Sequence, residues 1–308
     1  MKILIGSYNE NIYEVEVNLK TNKFTSSTIF KNVGKPSYII PFDNDYAFIH
    51  IKDNIQYVRI KDQDISLGND TSCHLSYDEK NKLFYSSHYH SGNLYVLSEN
   101  NDNSFEVLDK YQYTENSHIH FAMYIPTLDL LGVCDLGDNK LHLYEVINEK
   151  LVLKTSFTFE KGTGPRHFSY HKNLPLIYVI CEHSGEIITL QYKDETLSNI
   201  QQVDLPKGAS SAIRISKEST HLYAADRISN TISTFEIIED GLLIKSQTIS
   251  TQGDHPRDFN LSFDERFLVV ANMNSNNLTL YERDAESGSL ILLDENFELN
   301  SGASVLFI

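Results

Sequence analysis

A short segment recurs through this chain at a nearly constant spacing. It stands at Pro36-Ser37-Tyr38, Ser72-Cys73-His74, His118-Ile119-His120, Pro165-Arg166-His167, Ser210-Ser211-Ala212 and Pro256-Arg257-Asp258. After a first interval of 36 residues the spacing is 46, 47, 45 and 46. Each interval holds one supersecondary unit. In a chain rich in short strands, that period predicts a β-propeller with one four-stranded antiparallel blade per repeat.

The repeat beginning at Gly164 shows the plan most plainly. A mixed segment, Pro165-Arg166-His167-Phe168-Ser169-Tyr170, is followed by a continuous apolar one, Leu176-Ile177-Tyr178-Val179-Ile180, and then by Glu186-Ile187-Ile188-Thr189-Leu190-Gln191-Tyr192. Polar clusters separate them, as expected of short strands joined by turns. The continuous segment should be buried on both faces by adjacent blades, and the third strand half exposed. A fourth strand, such as Leu151-Val152-Leu153-Lys154-Thr155-Ser156, precedes the next repeat. Residues 302–308 match a first strand, while residues 2–8 and 12–17 match a second and third. The expectation is therefore an all-β, seven-bladed propeller spanning 1–308 as one domain, its last blade closed by strands from both termini, which removes free sheet edges.

Composition narrows the function classes. The formal net charge of −16 argues against nucleic acid or an anionic membrane as partner. No apolar run approaches the ~20 residues needed to span a bilayer, and the apolar start is too short for a signal-peptide core. Three cysteines, an odd number, fit a reduced compartment with buried thiols, so a cytoplasmic location is expected.

Within a blade the first and second strands are antiparallel neighbours, so the start of one lies beside the end of the other at one face of the ring. The strand starts supply His118, His120, Arg166, His167 and Arg257. Seventeen residues after each aligned start stand Tyr89, Asp135, Glu182, Arg227 and Met273. Ionisable groups are costly to bury unpaired, so such a ring at one channel mouth favours a binding site over a purely structural channel. His118 and His120 have a spacing compatible with metal ligation, but the arginines at the same rim argue against a cation, and no metal is expected. His88, His90, His171, His183 and His221 are expected to be solvated in turns. No Gly-x-Ser-x-Gly elbow is present, so covalent catalysis has no support.

With these residues in place, the chain resembles the seven-bladed propeller lactonases, which include 6-phosphogluconolactonase of the propeller type and a carboxy-cis,cis-muconate lactonising enzyme. The resemblance runs from Ile5-Gly6-Ser7-Tyr8 through Lys35-Pro36-Ser37-Tyr38, His118-Ile119-His120 and Asp135-Leu136-Gly137-Asp138. It is strongest at Gly164-Pro165-Arg166-His167-Phe168 with Glu182, and continues through Asp226-Arg227, Pro256-Arg257-Asp258-Phe259 and Ala271-Asn272. It implies a catalytic set of His118, Arg166, Glu182 and Arg227; His120, Asp135, His167 and Arg257, from the same ring of strand ends, are the candidate substrate contacts. Asp226 replaces the family's usual Asn, and Ser87-His88-Tyr89-His90 replaces its usual Ala-Asn-Tyr-Gly, so the substrate itself stays open.

The implied reaction is cofactor-free hydrolysis of a small anionic sugar lactone, of which 6-phosphogluconolactone is the leading example. Glu182 or His118 would serve as base and the arginines as oxyanion or phosphate contacts. Two other readings stand beside it: a propeller that only binds a ligand or partner, and an enzyme that lactonises or isomerises a dicarboxylate.

Overall fold

Seven four-stranded antiparallel sheets surround one axis in the computed structural model, which describes residues 1–206 and 208–308. Blades one to six occupy residues 38–66, 74–112, 119–158, 165–204, 210–250 and 256–298. The seventh combines Gly302–Phe307 with Lys2–Ser7, Asn11–Asn18 and Lys23–Asn32. Its closing pair is antiparallel, with Ile3 opposite Phe307 and Ile5 opposite Val305. The blade count and the closure are those expected from the period, and no helix occurs among the described residues.

Burial follows strand position. The second strands, Leu83–His88, Leu130–Asp135, Leu176–Cys181, His221–Asp226 and Phe267–Asn272, are buried along their whole length. The third strands divide. Ile55–Ile60 alternates between buried and partly exposed residues as expected, whereas Glu186–Lys193 is covered over its first five residues, and the most exposed element is the outermost strand, such as Lys150–Thr158. In blade four the adjacent blades overlap far enough to cover most of the third strand as well. Each of the seven blade interfaces holds its own apolar cluster.

Around the channel, polar side chains tie each blade to the next. Ser76 Oγ donates to Ala122 O at 2.7 Å, Ser211 Oγ to Pro256 O at 2.8 Å and Asn260 Nδ2 to Val305 O at 3.1 Å. Arg214 Nη2 in blade five reaches Asp258 Oδ1 in blade six at 2.7 Å. These bonds satisfy buried polar groups that would otherwise be costly.

The starts of the innermost strands share a distortion. The pairing skips one residue between Ile119 and Phe121, between Pro165 and His167, and between Pro256 and Asp258, leaving His120, Arg166 and Arg257 bulged out of the ladder. Ile119 pairs with Asp135 as Pro165 pairs with Cys181. The third repeat is therefore displaced by one residue from its expected frame: His120, not Ile119, corresponds to Arg166, and Leu136, not Asp135, corresponds to Glu182.

Interface packing generates one prediction. A Cβ on Gly132 would lie 2.6 Å from Phe168 Cζ and 2.9 Å from Cε1 across the blade three–four interface. Gly132→Ala is expected to lower the unfolding free energy by about 1–3 kcal/mol, the usual cost of overpacking. Urea midpoints measure this, and an unchanged midpoint would mean that the Phe168 ring is free to move aside.

Candidate active site

The bulge at Arg166 turns its side chain into the channel, where it is only 2% exposed. Glu182 follows the second strand of the same blade and reaches the same space. Its Oε2 lies 2.9 Å from Arg166 Nε, and its Oε1 lies 2.9 Å from Arg227 Nη2 of the next blade. Arg227 is fixed by its backbone neighbours, donating from Nε to Ala209 O at 2.9 Å and from Nη2 to Ser210 O at 3.3 Å. Arg166 Nη1 also donates to Ser211 O. One carboxylate thus holds two guanidiniums, and the carbonyls of blade five hold them from behind.

A third guanidinium, Arg257, has no carboxylate within ion-pair distance among the described residues. Its Nε donates to the Tyr8 hydroxyl at 3.1 Å, and it lies 5.8 Å from the centre of that ring. Glu182, Arg227 and Arg257 line a 290 Å³ chamber together with Tyr8, Cys73, Tyr89 and His120. Set against the single carboxylate, three arginines leave this end of the channel positive in a protein whose net charge is −16.

The electrostatics reflect that imbalance. Burial pushes the Glu182 carboxyl up, but the attraction of Arg166 and Arg227 outweighs it and holds the group below the ordinary carboxylate range. Burial, with repulsion from Arg257, brings the Arg166 guanidinium down to about 9 against the pull of Glu182. His120 is driven well below the ordinary imidazole range, first by burial and then by Arg166 and Arg257. It is neutral at pH 7, and its Nδ1 has no hydrogen-bond partner.

The structure separates the expected residues into three groups. Glu182, Arg227, Arg257 and His120 line the chamber, and Arg166 lies behind Glu182, paired with it. His118 does not line it. Its ring stacks on Tyr89 at 4.4 Å and 11°, and its Nδ1 donates to Tyr89 O at 2.7 Å. It faces an adjoining 700 Å³ pocket lined by Glu115, Asn116, Asp138 and Lys161, with Tyr89 forming the wall between the two spaces. Asp135 and His167 lie outside the chamber as well. Asp135 is fully buried, and its Oδ1 accepts from the backbone N–H groups of His118 and Asp138, both at 3.0 Å; the one-residue displacement of the third repeat moves it off the channel. His167 sits deeper, its ring 4.6 Å from Phe121 and 5.0 Å from His120.

Three of the histidines expected to be solvated are buried instead. His88 Nε2 lies 3.1 Å from Ser86 Oγ and its Nδ1 3.3 Å from Asp70 Oδ1. His171 Nδ1 accepts from the N–H groups of Asn173 and Leu174. His221 contacts Arg283 Nη2 at 3.2 Å. Only His90 and His183 are exposed. Cys134 and Cys181 are buried free thiols as expected, whereas Cys73 is only half buried. Tyr8 and Cys73 are chamber residues that motif reading misses. Tyr8 follows Ser7 as Glu182 follows Cys181, so its place in the repeat is the signal that could have found it. Among the described residues no group of three or more His, Cys, Asp or Glu is placed to hold a metal ion.

Known proteins share this architecture. The family model described as Lactonase, 7-bladed beta-propeller matches residues 2–307. The chain belongs to that family. A protein of Bacillus subtilis named 6-phosphogluconolactonase is 28% identical over 99% of this chain and 97% of its own length. A crystal structure of a Lactobacillus plantarum protein superposes with a TM-score of 0.91 at 29% identity, covering both chains in full. The periplasmic gluconolactonase of Pseudomonas aeruginosa shares the fold, with a TM-score of 0.86 at 21% identity, over all of this chain and 98% of the other. Among the described residues no helix is long and apolar enough to cross a membrane.

Burial of neutral histidines in this lactonase-family channel has a pH consequence. His74, His120 and His167 are each depressed well below the ordinary imidazole range, by burial first and by neighbouring arginines second. Below pH ~6.5 the unfolded chain binds these protons and the folded one does not. Stability should therefore be fully present above that pH and fall as pH drops, by up to about 4 kcal/mol per pH unit for three protons. Urea melts at pH 7, 6 and 5 test this, and a flat profile would contradict it.

Proposed function

We propose that the protein hydrolyses an anionic sugar lactone of the 6-phosphogluconolactone type in the positive chamber. The observation that carries this reading is Arg257, a guanidinium held by a phenol and left without a carboxylate partner, beside two arginines that share Glu182. Membership of the lactonase family and the name of the Bacillus subtilis relative support the reaction class. Three free cysteines fit a reducing compartment, and we place the activity in the cytoplasm.

The division of labour follows from the charges. A carboxylate clamped by two guanidiniums is a poor base, so Glu182 acts as a positioning residue that keeps Arg166 and Arg227 in register. His120 is neutral and lines the chamber, so it takes the proton from the attacking water. As the water oxygen bonds to the lactone carbonyl carbon, negative charge grows on the carbonyl oxygen, and Arg227 stabilises it from a fixed position. The ring C–O bond then breaks, and the departing alkoxide recovers the proton from the His120 imidazolium. Arg257 and Tyr8 hold the phosphate by charge-assisted hydrogen bonds. Burial is the main cause that depresses His120, and a bound phosphate offsets the smaller part that comes from Arg166 and Arg257, so the imidazole gains some basicity when substrate is present.

Steady-state kinetics with the phosphorylated lactone and with neutral gluconolactone test these roles. His120→Gln should lower kcat for the phosphorylated lactone by ~10²–10⁴, the usual worth of a general base. Arg257→Ala should raise its KM about 10- to 100-fold, matching a lost charge-assisted bond, while leaving the neutral lactone little changed. Equal losses on both lactones would sink the assignment of Arg257. Absence of turnover in the native protein would sink the hydrolase and leave a propeller that binds its ligand only.

A further inference from the structure

Tyr38, His74, Phe121 and His167, from the innermost strands of four successive blades, stand in ring contact, with centroid separations of 4.6, 4.1 and 4.6 Å along that order. Above this layer lies the chamber with Glu182 and Arg257. Further along the same strands, beyond the aromatic layer, lies a second chamber of 350 Å³ that shares no lining residue with the first.

The walls of this second chamber are mainly apolar, with Met123, Phe168, Ile213 and Leu306 beside Phe121, and Ser76, Ser169 and Asn260 interspersed. One end is polar. Arg214 there donates from Nη2 to Asp258 Oδ1 at 2.7 Å and from Nη1 to Ile213 O at 2.9 Å. The other Asp258 oxygen accepts from Val305 N–H at 3.1 Å, so the carboxylate is engaged on both sides. Arg214 retains unused donors, and its side chain is 20% exposed against 6% for Asp258. Tyr38 stands beside it, its phenol pushed up to about 12 mainly by burial and so kept as a donor. His74 is 2% exposed, lines the chamber and has an unpartnered Nδ1.

A cavity of this size, mostly apolar with a few convergent polar groups, has the profile of a small-molecule site. We propose that it binds a second ligand: an uncharged compound with a single compact ring and a carbonyl-type acceptor, such as an aryl amide or ketone. The Arg214–Asp258 pair cancels its own charge, and Glu79 at the lining adds a negative one, so nothing there attracts an anion. The spare donors of Arg214 and Tyr38 call for an acceptor on the ligand, and the aromatic walls for a flat apolar body. This assignment is independent of the lactone reading, because the aromatic layer separates the two spaces.

Benzamide is the probe. Titration calorimetry on the purified protein, with inorganic phosphate present to fill the upper chamber, should show one saturable site, and a crystal soak should place the amide oxygen against Arg214. Met123→Trp fills the cavity without touching the ion pair and should weaken binding by about tenfold or more, with the melting curve preserved. A double variant, Arg214→Met with Asp258→Leu, removes the polar end without leaving an unpaired charge and should weaken binding to a similar extent. Absence of benzamide binding, displacement of benzamide by phosphate, or unchanged affinity in Met123→Trp would each overturn the proposal.

Discussion

The shared grip of Arg166 and Arg227 on Glu182 is the contact on which the upper end of the channel depends. Arg166 is 2% exposed, and a guanidinium so deeply buried is tolerable only with a counter-charge and hydrogen bonds. Glu182 supplies the first and Ser211 O the second. Because the carboxylate also takes Arg227 from the neighbouring blade, a single side chain crosses the blade four–five interface and fixes two cations at once. Cations held this way need no reorganisation when negative charge arrives, the condition under which electrostatic stabilisation contributes most.

The same backbone device is used repeatedly with different side chains. A bulge at the start of an innermost strand turns one residue out of the ladder and toward the axis. In blades three, four and six that residue is His120, Arg166 and Arg257. In blade five the skip spans Ser211 and Ala212, and Ser211 serves instead as a tie to Pro256 O. The repeat therefore provides equivalent positions, and substitution at those positions divides them between blade-to-blade stitching and the candidate chemistry.

The spacing of the repeats was enough to read the fold, the blade number and the closure by both ends of the chain, because each repeat is a complete unit with its own apolar pattern. It was also enough to bring Arg166, Glu182, Arg227 and Arg257 to one mouth. It does not fix positions to within one residue. The bulge in blade three leaves a residue out of the pairing, and equal spacing in sequence cannot show where that residue falls, so even spacing puts Ile119 and Asp135 at channel positions that belong to His120 and Leu136. Tyr8 was equally hidden as a partner of Arg257, since 249 residues separate them and only closure of the ring brings them together. The buried histidines misled for a different reason. His88 looks like a turn residue, and its surroundings depend on Asp70, far from it in the strand pattern and close to it in space.

The charge distribution links the fold to the proposed substrate class. An acidic surface repels anions at long range, yet at physiological salt that repulsion is screened beyond about 8 Å. An anion entering the chamber then meets Arg227 and Arg257 beside Glu182, with Arg166 paired behind that carboxylate. The low-dielectric walls of the blades concentrate this field along the axis. Acidic groups spread over the outer rim favour solubility and discourage nucleic acid, while the channel mouth keeps the opposite sign. The two properties coexist because the closed ring keeps Arg166, Arg227 and Arg257 at the channel, away from the outer surface that large polyanions encounter.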